Sequence, residues 1–72
     1  MKNLDKHDLS ILKLKQVINT VKLSRSSIYL KVANSSFPKP IKLSERSSGW
    51  LEHEIQDWLR ERVASSRGGQ HE

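Results

Sequence analysis

The segment FPKP, Phe37 to Pro40, constrains the fold of this 72-residue chain more than any other stretch. A proline disfavours helical geometry for the residue before it, so Pro38 and Pro40 push Phe37 and Lys39 into extended conformations. A helix that approaches this segment must end before Phe37, and the chain beyond it begins in an extended form. The segment therefore predicts a corner between a helix and a strand.

Two short helices are expected before this corner, preceded by a short strand in the alternating segment ILKLK. The first helix, over about residues 15–20, is indicated by apolar residues at helical spacing, namely Leu14, Val17, Ile18 and Val21. The second helix is expected from about residue 25 to residue 34. Its start is indicated by Ser24, because a serine hydroxyl can accept a hydrogen bond from a first-turn N–H as an N-cap.

A β-hairpin and a third helix are expected after the corner. Ile41 and Leu43 alternate with Lys42, and the polar stretch SERSSG suits a turn, so Lys42 and Arg46 are expected near the hairpin tip. The third helix is indicated by a second run of apolar residues at helical spacing, which are Leu51, Ile55, Trp58, Leu59 and Val63. Both tryptophans of the chain are expected in the core.

This order of elements predicts an α+β fold that is mostly α. Two helices joined by a tight turn form a helix-turn-helix, and the hairpin that follows is expected to act as a wing. The expected fold is thus a winged helix-turn-helix with three helices and a small β-hairpin wing, over residues 12–64. Residues 1–11 are expected to be a flexible arm and residues 65–72 a flexible tail.

The charge of the chain is unevenly distributed. Residues 1–46 contain ten Lys and Arg against three acids, a net charge of +7, whereas residues 47–72 carry −2. A basic segment beside an acidic one favours a surface that faces a polyanion. Without cysteine, and with three histidines far apart in sequence, neither a metal site nor a cofactor is expected. No stretch resembles a signal peptide or a membrane span, so an intracellular, soluble protein is expected.

Double-stranded DNA is the polyanion that this arrangement suits best. The first turn of a helix presents free N–H groups and positive potential, which favour a phosphate. The Arg25 guanidinium can form two hydrogen bonds to a phosphate or to a guanine. Ser26 and Ser27 are short enough to let the backbone approach the duplex. Lys31 and Asn34 are expected on the same outward face, and an asparagine can contact adenine through two hydrogen bonds.

The rest of the predicted DNA surface lies in the wing and at the edge of the second helix. Lys39, Lys42 and Arg46 are expected to follow the phosphate backbone or to enter a minor groove. A helical projection places Tyr29 with Ile28 and Val32 on the inward side, so Tyr29 is either a core residue or a phosphate contact. The same projection leaves Leu30 outward, where it contacts a thymine methyl group, packs on a partner subunit or is simply exposed.

Other classes of function are less well supported by the sequence. A non-catalytic adaptor that docks an acidic protein partner is the alternative, although Leu30 is the sole exposed apolar anchor that the sequence offers for it. The serines have no nearby histidine or orienting acid, and no phosphate loop is present, so an enzyme is not expected. Because about 50 ordered residues bury only a small DNA interface, cooperative binding of several copies to repeated sites is expected.

Three blocks of sequence in the expected order, LSRSSIY, FPKPIKL and GWLEHEIQDWL, resemble the AlpA family of prophage regulators, small winged-helix proteins related in fold to MerR-type domains and excisionases. The resemblance covers about residues 12–62. It implies a bacterial, cytoplasmic DNA-binding protein of a prophage or genomic island, which activates transcription of an integrase gene or helps excise the element. An integrase is therefore a possible partner. In this chain, the residues that match the recognition helix of that family are Arg25, Ser26, Ser27 and Tyr29. Residues 39–46 match its wing.

Two positions depart from the pattern of that family. Lys22 stands where the family usually has a glycine, so the turn must either avoid a positive φ or accept strain. Leu30 stands where the family often has an arginine. If that arginine contacts a base in relatives, this chain is expected to prefer a different DNA site.

Overall fold

The computed structural model describes residues 9–68. Three helices and a three-stranded antiparallel sheet form an α+β fold that is mostly helical, which confirms the predicted winged helix-turn-helix. In chain order, the elements are β1 (Ile11–Leu12), α1 (Leu14–Val21), α2 (Arg25–Ala33), β2 (Ile41–Ser44), β3 (Ser47–Leu51), α3 (Glu52–Val63) and a π-helical turn (Ala64–Gly68). Most of the predicted arm, residues 1–8, and the end of the predicted tail, residues 69–72, lie outside the described residues.

The turn between α1 and α2 depends on a residue in a left-handed conformation. α1 ends at Lys22, which has φ = 61° and ψ = 35° and whose N–H donates to the Ile18 carbonyl at 2.8 Å. Left-handed backbone crowds the Cβ of any residue other than glycine. The sequence left two alternatives open, a turn that avoids a positive φ or one that accepts strain. The chain therefore adopts the second.

α2 has a defined cap at each end. The Ser24 hydroxyl accepts a hydrogen bond from the Ser27 N–H at 3.1 Å, which confirms the predicted N-cap. At the other end, Ser35 adopts φ = 65°, and the Ser36 N–H donates to the Lys31 carbonyl at 2.8 Å. This pattern is a Schellman motif, which satisfies the last carbonyls of the helix and ends it before the proline corner.

Both tryptophans hold the corner in place. The Trp58 indole N–H donates to the Ser36 carbonyl at 2.8 Å, and the Trp50 indole N–H donates to the Pro38 carbonyl at 2.9 Å. Between these two carbonyls, Phe37 is buried and meets Trp58 edge to face, with the ring centroids 4.8 Å apart. Two elements that follow the corner, β3 and α3, therefore fix its position relative to α2.

The sheet has the strand order β1-β3-β2, so β1 pairs with the hairpin that the sequence predicted. The observed β1 is shorter than the alternation in ILKLK suggested, because α1 already begins at Leu14. In β3, Trp50 is 1 % exposed and faces the core, which consists of Val17, Val21, Ile28, Phe37, Trp50 and Ile55. The described residues contain no helix with the length and apolar character of a membrane span.

Candidate nucleic-acid interface

The surface of α2 that remains exposed is a mixed polar and apolar face. Ile28 is its one fully buried residue and anchors the helix on the core. On the opposite side, the exposed residues are Arg25, Ser26, Tyr29, Leu30 and Ala33. Leu30 is 66 % exposed and Tyr29 is 46 % exposed. This set, which we call the α2 outer face, runs along the whole length of the helix.

The predicted division of α2 into two sides was wrong for three residues. Tyr29 belongs to the outer face, although its ring also lies 6.4 Å from that of Trp50. Ser27 and Lys31, which were expected outward, are half-buried. The cause is that only Ile28, with Val32 beside it, packs α2 onto the core. Residues on both sides of this narrow contact are partly covered, so a helical projection cannot predict which of them is more exposed.

The first turn of α2 presents Arg25 and Ser26 to solvent. Arg25 forms no hydrogen bond or ion pair with other described residues, so its guanidinium keeps all its donors for a ligand. The Ser27 hydroxyl, by contrast, accepts from the Ser24 hydroxyl at 3.1 Å and is part of the cap. A phosphate at this helix end therefore meets Arg25 and Ser26 first.

Asn34 lies just beyond α2, and its side chain is already engaged. Its Oδ1 accepts from the Ser36 N–H at 3.2 Å and from the Ser36 hydroxyl at 2.7 Å. A contact with adenine through both amide atoms requires that oxygen. Such a contact would therefore have to replace two hydrogen bonds that help shape the corner.

The three wing cations that the sequence singled out are all exposed. Lys39 lies in the proline corner, Lys42 lies in β2, and Arg46 is in the two-residue turn that joins β2 to β3. Lys42 is opposite Ser48, so its side chain shares the sheet face of Trp50, two residues further along β3. Tyr29 packs beside that same tryptophan. The structure therefore brings the α2 outer face and Lys42 to one side of the sheet.

Lys22 is a candidate contact that the sequence interpretation missed. It is exposed and lies two residues before Ser24, the N-cap of α2. Its ammonium lies 3.4 Å from the Asn19 Oδ1, a long contact at the surface. A basic residue in the turn of a helix-turn-helix indicates a phosphate contact, but the sequence interpretation treated this position only as a question of backbone strain.

Most acidic side chains of the described residues lie on α3, and two of them, Glu54 and Asp57, line one groove together with Lys39. Glu52 and Glu54 lie in the first turn of α3, and Asp57 pairs with Arg60 at 2.8 Å. Among residues 9–68, no group of three or more His, Asp or Glu residues is arranged to hold a metal ion. The described surface thus offers cations and hydroxyls on α2 and the wing, with Glu45 beside Arg46 in the wing turn, and the other carboxylates on α3.

Comparison with known proteins gives a family match and a phage relative. The model of the family described as prophage CP4-57 regulatory protein (AlpA) matches residues 10–63. Uncharacterized protein ORF88 of Enterobacteria phage P4 is 31 % identical over 58 residues, which cover 81 % of this chain and 66 % of that protein. This chain therefore spans slightly less than two thirds of the length of that phage relative. The family match includes every element from β1 to α3.

Proposed function

This chain belongs to the AlpA family of prophage regulatory proteins, and from that premise we propose that it binds double-stranded DNA of a prophage or genomic island in the bacterial cytoplasm. The observation that carries the proposal is the α2 outer face, which begins with the unpaired Arg25 and lies on the same side of the sheet as Lys42. The family is one of DNA-binding regulators, and the proposed role needs neither a cofactor nor a catalytic residue.

The dimensions of α2 suit the major groove. Nine helical residues span about 14 Å, and the major groove of B-DNA is about 12 Å wide. In this arrangement Arg25 contacts a phosphate or a guanine, Ser26 contacts a phosphate or a base edge, and the Tyr29 hydroxyl reaches the backbone. Further contacts with DNA come from the margins of the same surface, where Ser27 and Lys31 are partly covered and the Asn34 side chain is already hydrogen-bonded.

The wing supplies the remaining positive charge. Lys39, Lys42 and Arg46 contact phosphates or enter the minor groove beside the recognition helix. If about five cations of the surface meet phosphates, the logarithm of affinity falls with the logarithm of salt concentration with a slope of about −4 to −5. A slope near zero in this salt dependence would contradict an interface that relies on contacts with DNA phosphates.

The decisive experiment compares specific with unspecific DNA. Fluorescence anisotropy is measured with labelled duplexes from the DNA that flanks the gene, at promoter and attachment-site positions, and with shuffled duplexes of equal length. We expect tighter binding to one native duplex, and we expect Arg25→Ala to weaken that binding about 5- to 150-fold and to abolish the preference. The matched control is Arg67→Ala, because Arg67 is also an exposed arginine but lies in the turn after α3.

Two regulatory roles use the same surface. In one, the protein controls transcription of an integrase gene; in the other, it acts as an excisionase that bends attachment-site DNA and contacts the integrase. Footprinting on the flanking DNA distinguishes them, since protection at a promoter supports the first role and protection at attachment-site arms supports the second. If no duplex is preferred and an acidic protein is bound instead, the chain is an adaptor and the DNA proposal is wrong.

A further inference from the structure

The first helix, α1, has an exposed polar side that the proposed contacts of α2 and the wing do not use. Lys15 and Asn19 are exposed on this helix, and Lys22 is exposed at its C-cap. Lys15 and Lys22 are seven residues apart, which is close to two helical turns, and Asn19 lies between them, so all three share one side of α1. The buried residues Val17 and Val21 lie on the opposite side. We call Lys15, Asn19 and Lys22 the α1 stripe.

The positive charge of this stripe is not compensated by nearby acids. No acidic residue occurs in the sequence between Asp8 and Glu45. Among residues 9–68, no carboxylate forms an ion pair with Lys15 or Lys22. The Lys15 ammonium makes no hydrogen bond to a described residue, and the Lys22 ammonium has its one polar contact with the Asn19 Oδ1, at 3.4 Å. Two ammonium groups, about 10 Å apart along the helix axis, are therefore available to an anion.

The backbone of Lys22 indicates that this side chain has a task outside the fold. Its φ of 61° and ψ of 35° are left-handed, a conformation in which a Cβ atom is crowded. Glycine would adopt the same conformation without that cost. Residues kept in such costly conformations cluster at functional sites. A lysine at this position supplies a cationic side chain at the expense of an easier turn.

The polar character of α1 favours an anionic partner over a protein surface. Exposed apolar residues do occur elsewhere: on the sheet, Leu43 is 45 % exposed and Ile41 is 36 % exposed. The expectation that Leu30 is the sole exposed apolar anchor was therefore wrong. By contrast, the exposed residues of α1 itself are Lys15, Gln16 and Asn19. Such a surface offers no apolar area to bury against a protein, whereas lysines bind phosphates while remaining hydrated.

The stripe ends close to the helix terminus that is proposed to meet DNA. Lys22 precedes Arg25 by three residues, so their Cα atoms are at most about 11 Å apart. α1 also contacts α2 directly. A duplex that places a phosphate at Arg25 therefore brings neighbouring phosphates within reach of Lys22, and the two turns of α1 lead from there to Lys15.

We propose that the α1 stripe is a second phosphate-binding surface, which contacts the DNA strand beside the groove that holds α2. Lys15 and Lys22 each contact a phosphate, and Asn19 orients the Lys22 ammonium. The proposal rests on the proposed function, since α2 determines where the duplex lies. Phosphate contacts carry no base information, so the stripe adds affinity and fixes the position of the duplex without adding sequence preference.

The test measures binding to the preferred native duplex and to a shuffled duplex by fluorescence anisotropy over a range of salt concentrations. Lys22→Ala should weaken binding to both duplexes about fivefold at a salt concentration of about 0.15 M, and should make the salt slope shallower by about 0.9. Lys15→Ala should have the same two effects. Lys22→Arg keeps the charge and should keep both the affinity and the slope.

The matched control is Lys13→Ala. Lys13 is also an exposed lysine and directly precedes α1, but its ammonium is hydrogen-bonded to the Ser47 hydroxyl at 2.9 Å. Ser47 and Gly49 share one face of β3, and Trp50 faces the other way, so this contact lies on the sheet face opposite Trp50. We expect Lys13→Ala to leave the salt slope unchanged.

Lys22→Gly separates the effect on binding from the effect on folding. It should raise Tm, because the turn loses its crowded Cβ, and it should weaken DNA binding as much as Lys22→Ala does. A lysine with a purely structural role cannot give these two results together. Circular dichroism melting of each variant shows that weaker binding does not come from unfolding.

Each alternative outcome identifies which idea fails. Specific DNA binding with an unchanged salt slope in Lys22→Ala or in Lys15→Ala overturns the inference and leaves the proposed function intact. An equal loss in Lys13→Ala also overturns it, because total charge would then determine the affinity. Loss of the sequence preference in Lys22→Ala would assign that lysine to a base and overturns it as well. Absence of any specific DNA binding overturns the proposed function and the inference together.

Discussion

Replacing Lys22 with glycine should stabilise this protein, because the turn between α1 and α2 holds a lysine in left-handed backbone. Its φ of 61° and ψ of 35° lie near the centre of the left-handed helical region. The N–H of this residue closes α1 by donating to the Ile18 carbonyl. Glycine can adopt the same backbone conformation and make the same hydrogen bond without the steric cost of a Cβ.

The expected gain follows from two opposing effects. Left-handed geometry costs a residue other than glycine about 1–2 kcal/mol, whereas the greater freedom of glycine in the unfolded chain opposes folding by about 0.5–1 kcal/mol. The exposed contact from Lys22 to Asn19, at 3.4 Å, contributes little. The net increase in the free energy of unfolding is therefore about 0.5–1 kcal/mol, which raises Tm by about 2–8 °C for a domain of this size.

Thermal and urea denaturation followed by circular dichroism measures this change. Lys22→Ala is the matched control: it removes the same charge but keeps the Cβ, so it should change stability by no more than about 0.5 kcal/mol. If alanine stabilises as much as glycine does, the effect comes from charge and the argument from backbone strain is wrong. If glycine lowers Tm, the turn is not strained at this residue.

Three further predictions concern other parts of the fold and surface. Ser24→Ala should lower the free energy of unfolding by about 1 kcal/mol in urea denaturation, because the Ser27 N–H loses its acceptor; an unchanged midpoint would show that the cap is replaceable. Gly49→Ala should lower the free energy of unfolding by about 1–3 kcal/mol, because the added Cβ overlaps with Ile11. The double variant with Ile11→Ala should lose less stability than the sum of the two single variants. Losses that add up fully would argue against the overlap. If Leu30 contacts a thymine methyl, replacing that thymine with uracil should weaken DNA binding by the unaltered protein about fourfold. The same replacement should not change binding by Leu30→Ala. If the replacement weakens binding equally for both proteins, the methyl group contacts a residue other than Leu30.

The helices and the corner were predictable because their determinants are local. Ser24 caps α2, the prolines after residue 36 require the helix to end before Phe37, and the apolar spacing from Leu51 to Val63 defines the third helix. Each depends on residues within about two turns of the element itself. The candidate contacts in the wing were likewise found to be exposed, since a two-residue turn leaves Arg46 at the tip.

The faces of the elements were harder to predict because distant residues decide them. Alternation showed that Ile41 and Leu43 share a side, but not that the core lies on the other side. That choice depends on β1, which pairs across β3 and places Ile11 over Gly49. In α2, one buried isoleucine decides the orientation, and Tyr29 remains exposed although its ring lies near that of Trp50.

The hydrogen bonds from the two indoles to the corner give the molecule an intrinsic optical probe. Trp50 and Trp58 are the only fluorophores of their kind in the chain, and each donates to a carbonyl in residues 36–38. Their emission therefore monitors one short connection, the one that sets the spacing between α2 and the wing. A change in fluorescence when a duplex is added would record movement at that joint without any attached dye.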